Sequence, residues 1–267
     1  CIQTPRSGRE TDIPHIEDLD AAPDPREVLV VGGGPAGLSF AVTAADFGHD
    51  VTIREKESEL GGQSNIATQV DSRREFGDAV RNLRNQLDNR DVTVETDTEV
   101  EAGDLASESW DDIVIAIGAT ERAPDLAGPD VHRSWDVLRG EAVGDRVIVF
   151  DNNKHAAGVG VAEYLLDNED CEVTFVTTSY HPGDQLEGTN VPPFLETLYE
   201  NDVDIETHTT IIGFEDGAAQ LLNVYSEEMT TRPADSLVVA ERRRARNGLA
   251  EAIRDQGVDG AVHRIGD

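Results

Sequence analysis

The sequence predicts an α/β fold of two Rossmann-like, doubly wound units, and three observations carry that prediction. An apolar strand pattern at residues 27–31 runs into Gly32-Gly33-Gly34-Pro35-Ala36-Gly37 and then into an apolar helix face. A second strand pattern at 50–54 ends on an acid, Glu55. Residues 145–177 then repeat strand, helix and strand around a different turn. A length of 267 residues suits one or two such domains.

Composition narrows the classes. The net charge is −32, from 54 acids against 22 bases, and the only lysines are Lys56 and Lys154. The acids are spread along the chain. They read as a solvated surface of the kind that keeps a protein soluble in a very salty cytoplasm, or as a face for a basic partner. With no basic stripe to neutralise phosphates, nucleic acid is not an expected partner. No apolar run approaches the length of a membrane span, and no signal peptide is visible. The two cysteines, Cys1 and Cys171, suggest no disulfide framework, which fits a reducing cytoplasm. Cys171 sits in an apolar strand pattern and reads as inert core.

Residues 1–25 carry four prolines and little periodicity, and read as a linker or an arm crossing another domain. The chain reads as a piece of something longer. Residues 27–31 have the continuous apolar pattern of a strand buried on both faces. In the turn that follows, Gly32, Gly34 and Gly37 fit G-x-G-x-x-G. The first allows a tight turn, the second lets backbone approach a pyrophosphate, and the third lets helix and strand pack closely. Pro35 suits a first helical turn, where its missing N–H is not needed. Leu38, Ala41, Val42 and Ala45 form one helix face, and Gly48 is a suitable stop. The helix start offers N–H groups and a positive dipole end to phosphate. Glu55 stands 18 residues beyond Gly37, where a carboxylate accepts hydrogen bonds from an adenosine ribose. Together these residues predict a site for an adenine dinucleotide.

Leu60-Gly61-Gly62-Gln63 can bring backbone close to a second part of a long cofactor. Phe76, Val80, Leu83 and Leu87 lie at helical spacing and read as core. Arg73 and Arg74 precede that helix and are either surface charges or contacts to a pyrophosphate or partner. Short strands are expected at 91–95 and 98–100, and a buried one at 112–117 that ends in small residues. The second unit predicts a strand at 145–150, a helix at 156–166 and a strand at 171–177. Its turn, residues 151–158, has no glycine directly after the strand, so a nicotinamide dinucleotide lacks its usual close backbone approach there. A helix at 193–200, a strand at 203–206, a hairpin at 211–225, a strand at 234–241 and a helix at 248–255 complete the expectation. Arg242, Arg243, Arg244 and Arg246 form the one basic cluster. No histidine joins a hydrolase arrangement, and no catalytic residue stands out.

VLVVGGGPAGL, EKESELGGQ, VIAIGA and the terminal RIGD resemble the FAD-binding signatures of flavoprotein reductases with two dinucleotide domains, the pyridine nucleotide-disulfide reductase-like fold, in which the second domain is inserted into the first. CIQTPRSGRE, REFGD and SWDVLRG narrow the resemblance to the C-terminal part of the trimethylamine dehydrogenase and 2,4-dienoyl-CoA reductase group of the old yellow enzyme superfamily. The resemblance covers essentially the whole chain. It implies a domain of residues 26–142 and 261–267 for FAD, or ADP in its place, and an NAD(P)-type domain of residues 143–260, degenerate in its turn. It implies FMN and the substrate site in an upstream barrel, and a [4Fe–4S] cluster whose last ligand is Cys1, so that 1–25 is the linker after it. By the same resemblance Gly32, Gly34, Pro35, Ala36 and Gly37 bind pyrophosphate and Glu55 the adenosine ribose. Gly62 and Gln63 lie along the cofactor, Val100 meets adenine through its backbone, and Ala116, Ile117 and Gly118 pass beside it. Asp267 contacts a ribityl or pyrophosphate oxygen. FDNNKHAAGVGVAEYLL resembles the amine-dehydrogenase branch more than the branch fed by NADPH. The implied function is the electron-transfer portion of an amine-dehydrogenase-like oxidoreductase that hands electrons to a carrier protein. The resemblance also admits a homodimer of the full-length enzyme. The alternatives are an NAD(P)H-dependent ene-reductase and a non-catalytic nucleotide-binding module.

Overall fold

The computed structural model describes residues 6–15, 18–126 and 128–266. The described residues before Arg26 hold turns and no strand. The chain then runs through β1 (Glu27–Val31), α1 (Pro35–Asp46), β2 (Asp50–Arg54), α2 (Gln63–Ala67), α3 (Phe76–Leu87), β3 (Val92–Glu95), β4 (Asp112–Ile115) and β5 (Ala119–Glu121). Next come β6 (Val131–Arg133), α4 (Ser134–Leu138), β7 (Arg146–Asp151), α5 (Ala156–Asn168), β8 (Glu172–Thr177), α6 (Val191–Glu200) and β9 (Asp204–Glu206). They are followed by β10 (Thr209–Glu215), β11 (Ala218–Asn223), β12 (Met229–Pro233), β13 (Ser236–Ala240) and β14 (Arg243–Ala245), and α7 (Gly248–Gln256) and β15 (Ala261–Arg264) close the chain.

Two compact units result. The first takes residues 1–68, 74–119 and 245–267, and the second takes 69–73 and 120–244. In the first, a parallel sheet has the order β15-β4-β1-β2-β3. Alternation along the strands divides the core between its two faces. Val28, Val30, Val51, Ile53 and Val114 meet Leu38 and Ala41 of α1 and Val80 and Leu87 of α3. Leu29, Val31, Ile113 and Ile115 face Leu105 and the α7 residues Ala250 and Ile253. Burial on both faces is why β1 and β4 read as continuous apolar runs.

The second unit has a parallel sheet of order β6-β13-β7-β8-β9 and an antiparallel sheet β10-β11-β12. Ile148, Phe150, Val176, Leu237 and Val239 of the first sheet pack with Ile211, Ala219 and Leu221 of the second. Strands β5 and β14, which carry the crossings at 119/120 and 244/245, pair with each other.

Several expectations shift. Residues 120–142 fall in the second unit because β6 pairs with β13. Residues 245–260 fall in the first because α7 buries its apolar face on β4. No strand forms at 98–100, where the Thr98 N–H goes to the Glu55 carbonyl oxygen at 2.8 Å instead of joining a ladder. The hairpin at 211–225 gains a third strand, β12. Phe76, read as core, is 52% exposed at the first position of α3.

Candidate functional site

The site is built where β1 gives way to α1. Gly32 has φ +106°, and a Cβ there would lie 2.5 Å from the Ala116 carbonyl oxygen, so the turn after β1 presses directly on the end of β4. A Cβ on Gly37 would lie 2.0 Å from the Gly32 carbonyl oxygen, so helix and strand touch backbone to backbone. Protein atoms therefore demand glycine at both positions. Gly34 differs. A Cβ there would meet nothing closer than the Gly62 Cα, at 4.0 Å. Packing within the protein leaves that space open, as an approaching phosphate requires.

Helix α1 begins with Gly34 as its N-cap, has Pro35 in its first positions, and carries neither a side-chain cap nor an acid in its first turn. With no cap or acid of its own, the helix start keeps its positive dipole end and first-turn N–H groups for a ligand. Gly62, φ +53°, closes one side, where an added Cβ would reach 3.1 Å from the Gly34 Cα. The Gly61 N–H donates to the Gly33 carbonyl oxygen at 2.8 Å, so residues 60–62 are tied to the turn. Gln63 donates through Nε2 to the Ala119 carbonyl oxygen at 3.3 Å and lies against Gly118, where a Cβ would come 2.6 Å from that nitrogen. On another side, a Cβ on Gly266 would lie 3.2 Å from the Ala36 Cβ, placing the final turn beside the first turn of α1.

Glu55 is 6% exposed. Its Oε2 accepts the Gly33 N–H at 2.7 Å and its Oε1 the Glu57 N–H at 3.0 Å. Each carboxylate oxygen has capacity for a further donor, so the same group can fix the turn and accept a ribose hydroxyl. The contact between Thr98 N–H and the Glu55 carbonyl oxygen brings residues 98–100 beside it, with the Val100 side chain buried. Ala116 is buried, Ile117 half-buried, and the Ala116 N–H donates to the Val31 carbonyl oxygen at 2.8 Å.

The structure thus gathers Gly32, Gly34, Pro35, Ala36, Gly37, Glu55, Gly62, Gln63, Ala116, Ile117 and Gly118 around one helix start. This cradle fits the adenine-nucleotide part of a dinucleotide. Asp267 and Cys1 lie outside the described residues. Sequence reasoning passed over Leu60, against whose side chain Gly33 is packed, with a Cβ there only 2.3 Å from the Leu60 Cδ2. Its place in the LGGQ run was the available signal.

Of the open alternatives, Arg73 belongs to the second unit, where it donates to the Ala156 carbonyl oxygen and lies over the Phe194 ring. Burial pulls its pKa down, opposed by Glu163. Cys171 is half-buried, and burial together with Glu169, Asp170 and Asp145 pushes its thiol up to about 11, which keeps it protonated and unreactive.

The turn of the second unit is arranged differently. Asp151 closes β7, is 0% exposed, and packs on Gly158 in the first turn of α5, where a Cβ would lie 2.6 Å from the carboxyl group. Its Oδ1 accepts the Lys154 N–H at 2.8 Å, while Oδ2 has no hydrogen-bond partner among the described residues. Burial pushes the carboxyl up to about 6, against the pull of the Lys154, Asn153 and Gly183 amides. Asn152 donates to the Glu241 Oε1 at 2.7 Å, and Glu121 accepts the Ser134 hydroxyl at 2.6 Å and the Trp135 and Glu241 N–H groups at 3.0 and 3.2 Å. No group of three or more His, Cys, Asp or Glu side chains suited to a metal occurs among the described residues. Nor is any helix among them long and apolar enough to cross a membrane.

The sequence pattern of the family described as pyridine nucleotide-disulphide oxidoreductase matches residues 26–259. A relative, the N,N-dimethylglycine/sarcosine dehydrogenase of Chromohalobacter salexigens, is 31% identical over 96% of this chain and 39% of its own length. A 2-naphthoyl-CoA reductase structure superimposes with a TM-score of 0.90 at 29% identity, over 100% of this chain and 40% of that one. The 6-hydroxypseudooxynicotine amine oxidase of Pseudomonas geniculata N1 does so with a TM-score of 0.87 at 27% identity, over 100% of this chain and 43% of that one. The chain therefore spans about two fifths of the length of these proteins, among which are both an amine-oxidising and a reductase member of the group the motifs resemble.

Proposed function

The chain belongs to the pyridine nucleotide-disulphide oxidoreductase family, enzymes that bind FAD and NAD(P), and from that premise we propose that it is the electron-transfer portion of a longer flavin-dependent, amine-dehydrogenase-like oxidoreductase. Its first unit holds FAD, or ADP in its place. The observation that carries this reading is Gly34, the one fingerprint glycine whose missing Cβ leaves room rather than relieving a clash. Gly32, Gly34, Pro35, Ala36 and Gly37 seat the pyrophosphate at the positive end of α1. Glu55 orients the adenosine ribose, and Val100 meets the adenine through its backbone. Gly62, Gln63, Ala116, Ile117 and Gly118 line the remainder, and Asp267 reaches a ribityl or pyrophosphate oxygen. FAD, when bound, supplies a carrier of one or two electrons. In the full-length protein Cys1 is one ligand of a [4Fe–4S] cluster, three further cysteines and an FMN-bearing domain lie upstream, and the electron acceptor is a carrier protein.

Titration calorimetry of the full-length protein with ADP tests the seat. Gly34→Val puts two methyl groups into the phosphate space and weakens ADP binding by at least 100-fold, equivalent to about 2.7 kcal/mol. Unchanged affinity removes the seat from the turn. Iron and acid-labile sulfide analysis of the full-length protein, with flavin extraction, tests the electron path. A preparation with neither a cluster nor a bound adenine nucleotide sinks the reading. Rapid flavin bleaching by NADH or NADPH in stopped flow favours the ene-reductase alternative instead.

A further inference from the structure

The two units meet the same demand in different ways. Each places a strand end beneath the first turn of a helix, and in each the helix has no side-chain cap and no acid in its first turn. In the first unit the strand end is Gly32, facing Gly37, and the space ahead of the helix is open at Gly34. In the second it is Asp151, facing Gly158, and a buried carboxylate stands in the corresponding place. One oxygen takes the Lys154 N–H and the other has no hydrogen-bond partner among the described residues. A fully buried carboxylate that is half unpaired is costly. It is placed where a helix dipole and a turn of backbone amides offer an anion the most. The neighbouring strand end adds Glu241, 7% exposed, which holds Asn152 through its side chain and Asn153 through its carbonyl oxygen. The loop of residues 152–155 is therefore pinned across the point between β7 and β13. At that point the chain's course through the sheet reverses, and ligands of open α/β sheets usually enter there.

We propose that Asp151 is an internal anion, seated at the start of α5 where a dinucleotide phosphate sits at the start of α1, and that it excludes nicotinamide dinucleotides from the second unit. The comparison of seats rests on the nucleotide reading of the first unit. Two effects act together. The carboxylate fills the volume of a phosphate oxygen, and with Glu241 and Glu121 it sets negative charge against an incoming pyrophosphate. The half keeps its architecture because Asp151 ties the turn from within the chain, through the Lys154 N–H.

The full-length protein at pH 8 is titrated first with ADP and then, once saturated, with inorganic pyrophosphate, both by calorimetry. The wild type takes one ADP per chain and no pyrophosphate. Asp151→Ala, which empties the seat, takes one ADP and one pyrophosphate, the latter at least 10-fold tighter than any wild-type binding. If the alanine variant does not fold, Asp151→Ser, which keeps an acceptor for the Lys154 N–H, shows the same gain. A second ADP per wild-type chain overturns the proposal. So does a folded variant, identified by intact ADP binding, that takes pyrophosphate no better than the wild type. A wild type that neither binds ADP nor carries FAD or ADP as purified sinks the reading of the first unit instead, while the difference in pyrophosphate binding between wild type and variant still decides the role of Asp151.

Discussion

At the scale of single residues, Asp151 and Glu55 show how burial and partners decide what a carboxylate does. Both are nearly sealed from solvent, but Glu55 accepts a backbone N–H on each oxygen while Asp151 is served on one only. Burial is the largest influence on Asp151 and raises its pKa from 3.8 to about 6. Between those values the folded state binds a proton that the unfolded state has released. Its contribution to stability is thus present below about pH 4, falls as pH rises through the folded pKa, and is absent at pH 8. A rise of that size corresponds to about 3 kcal/mol. Asp151→Asn, which cannot ionise, removes this slope. The stability of the variant relative to wild type should rise by about 1–3 kcal/mol between pH 4.5 and pH 7.5 in urea titrations. A difference that stays flat across that window contradicts the buried, half-paired carboxyl.

At the scale of elements, β1, α1 and β2 do the positioning, and they were the most legible part of the sequence. Glycine spacing fixes a turn whose geometry few other sequences allow, and strands buried on both faces leave continuous apolar runs. Helix α2 was not legible, because five residues carry no period. The failed strand at 98–100 looked like its neighbours in sequence, and only the nearness of the Glu55 carbonyl oxygen diverts its backbone. The cradle was readable from its glycines. The seat of Asp151 was not, since the sequence shows only that a glycine is missing after the strand, and the match between its carboxylate and Gly158 exists only once α5 is in place. Because Leu38 is fully buried between α1 and the sheet, Leu38→Ala should cost the first unit about 2–5 kcal/mol. If α1 carries the nucleotide seat, ADP at 100 times its Kd restores about 2.7 kcal/mol of that loss, read as a shift in the urea midpoint. A variant whose urea midpoint does not move on adding ADP would detach the helix from the ligand.

At the scale of the whole molecule, the charge of −32 sets conditions that no single contact does. Many of the ion pairs among the described residues are partly exposed, such as Arg26–Asp112, Arg90–Asp46 and Arg146–Asp235, and pairs of that kind contribute little each. With 54 acids and 22 bases, most carboxylates have no cation to meet, so the net interaction among surface charges is repulsive. Salt acts on both: it weakens the pairs and screens the repulsion, and the excess of acids decides the sign. The Debye length falls from about 30 Å at 0.01 M to about 3 Å at 1 M, so exposed charges further apart than that are largely screened at the high end. Thermal unfolding in KCl should therefore shift upward over that range by several degrees, most steeply at the low end where screening changes fastest. Replacing KCl by an equal osmolarity of sucrose separates charge screening from preferential exclusion. A midpoint that falls with added KCl would mean that the ion pairs outweigh the unpaired acids, and the acidic surface would then need another explanation, such as a basic carrier protein docked against it.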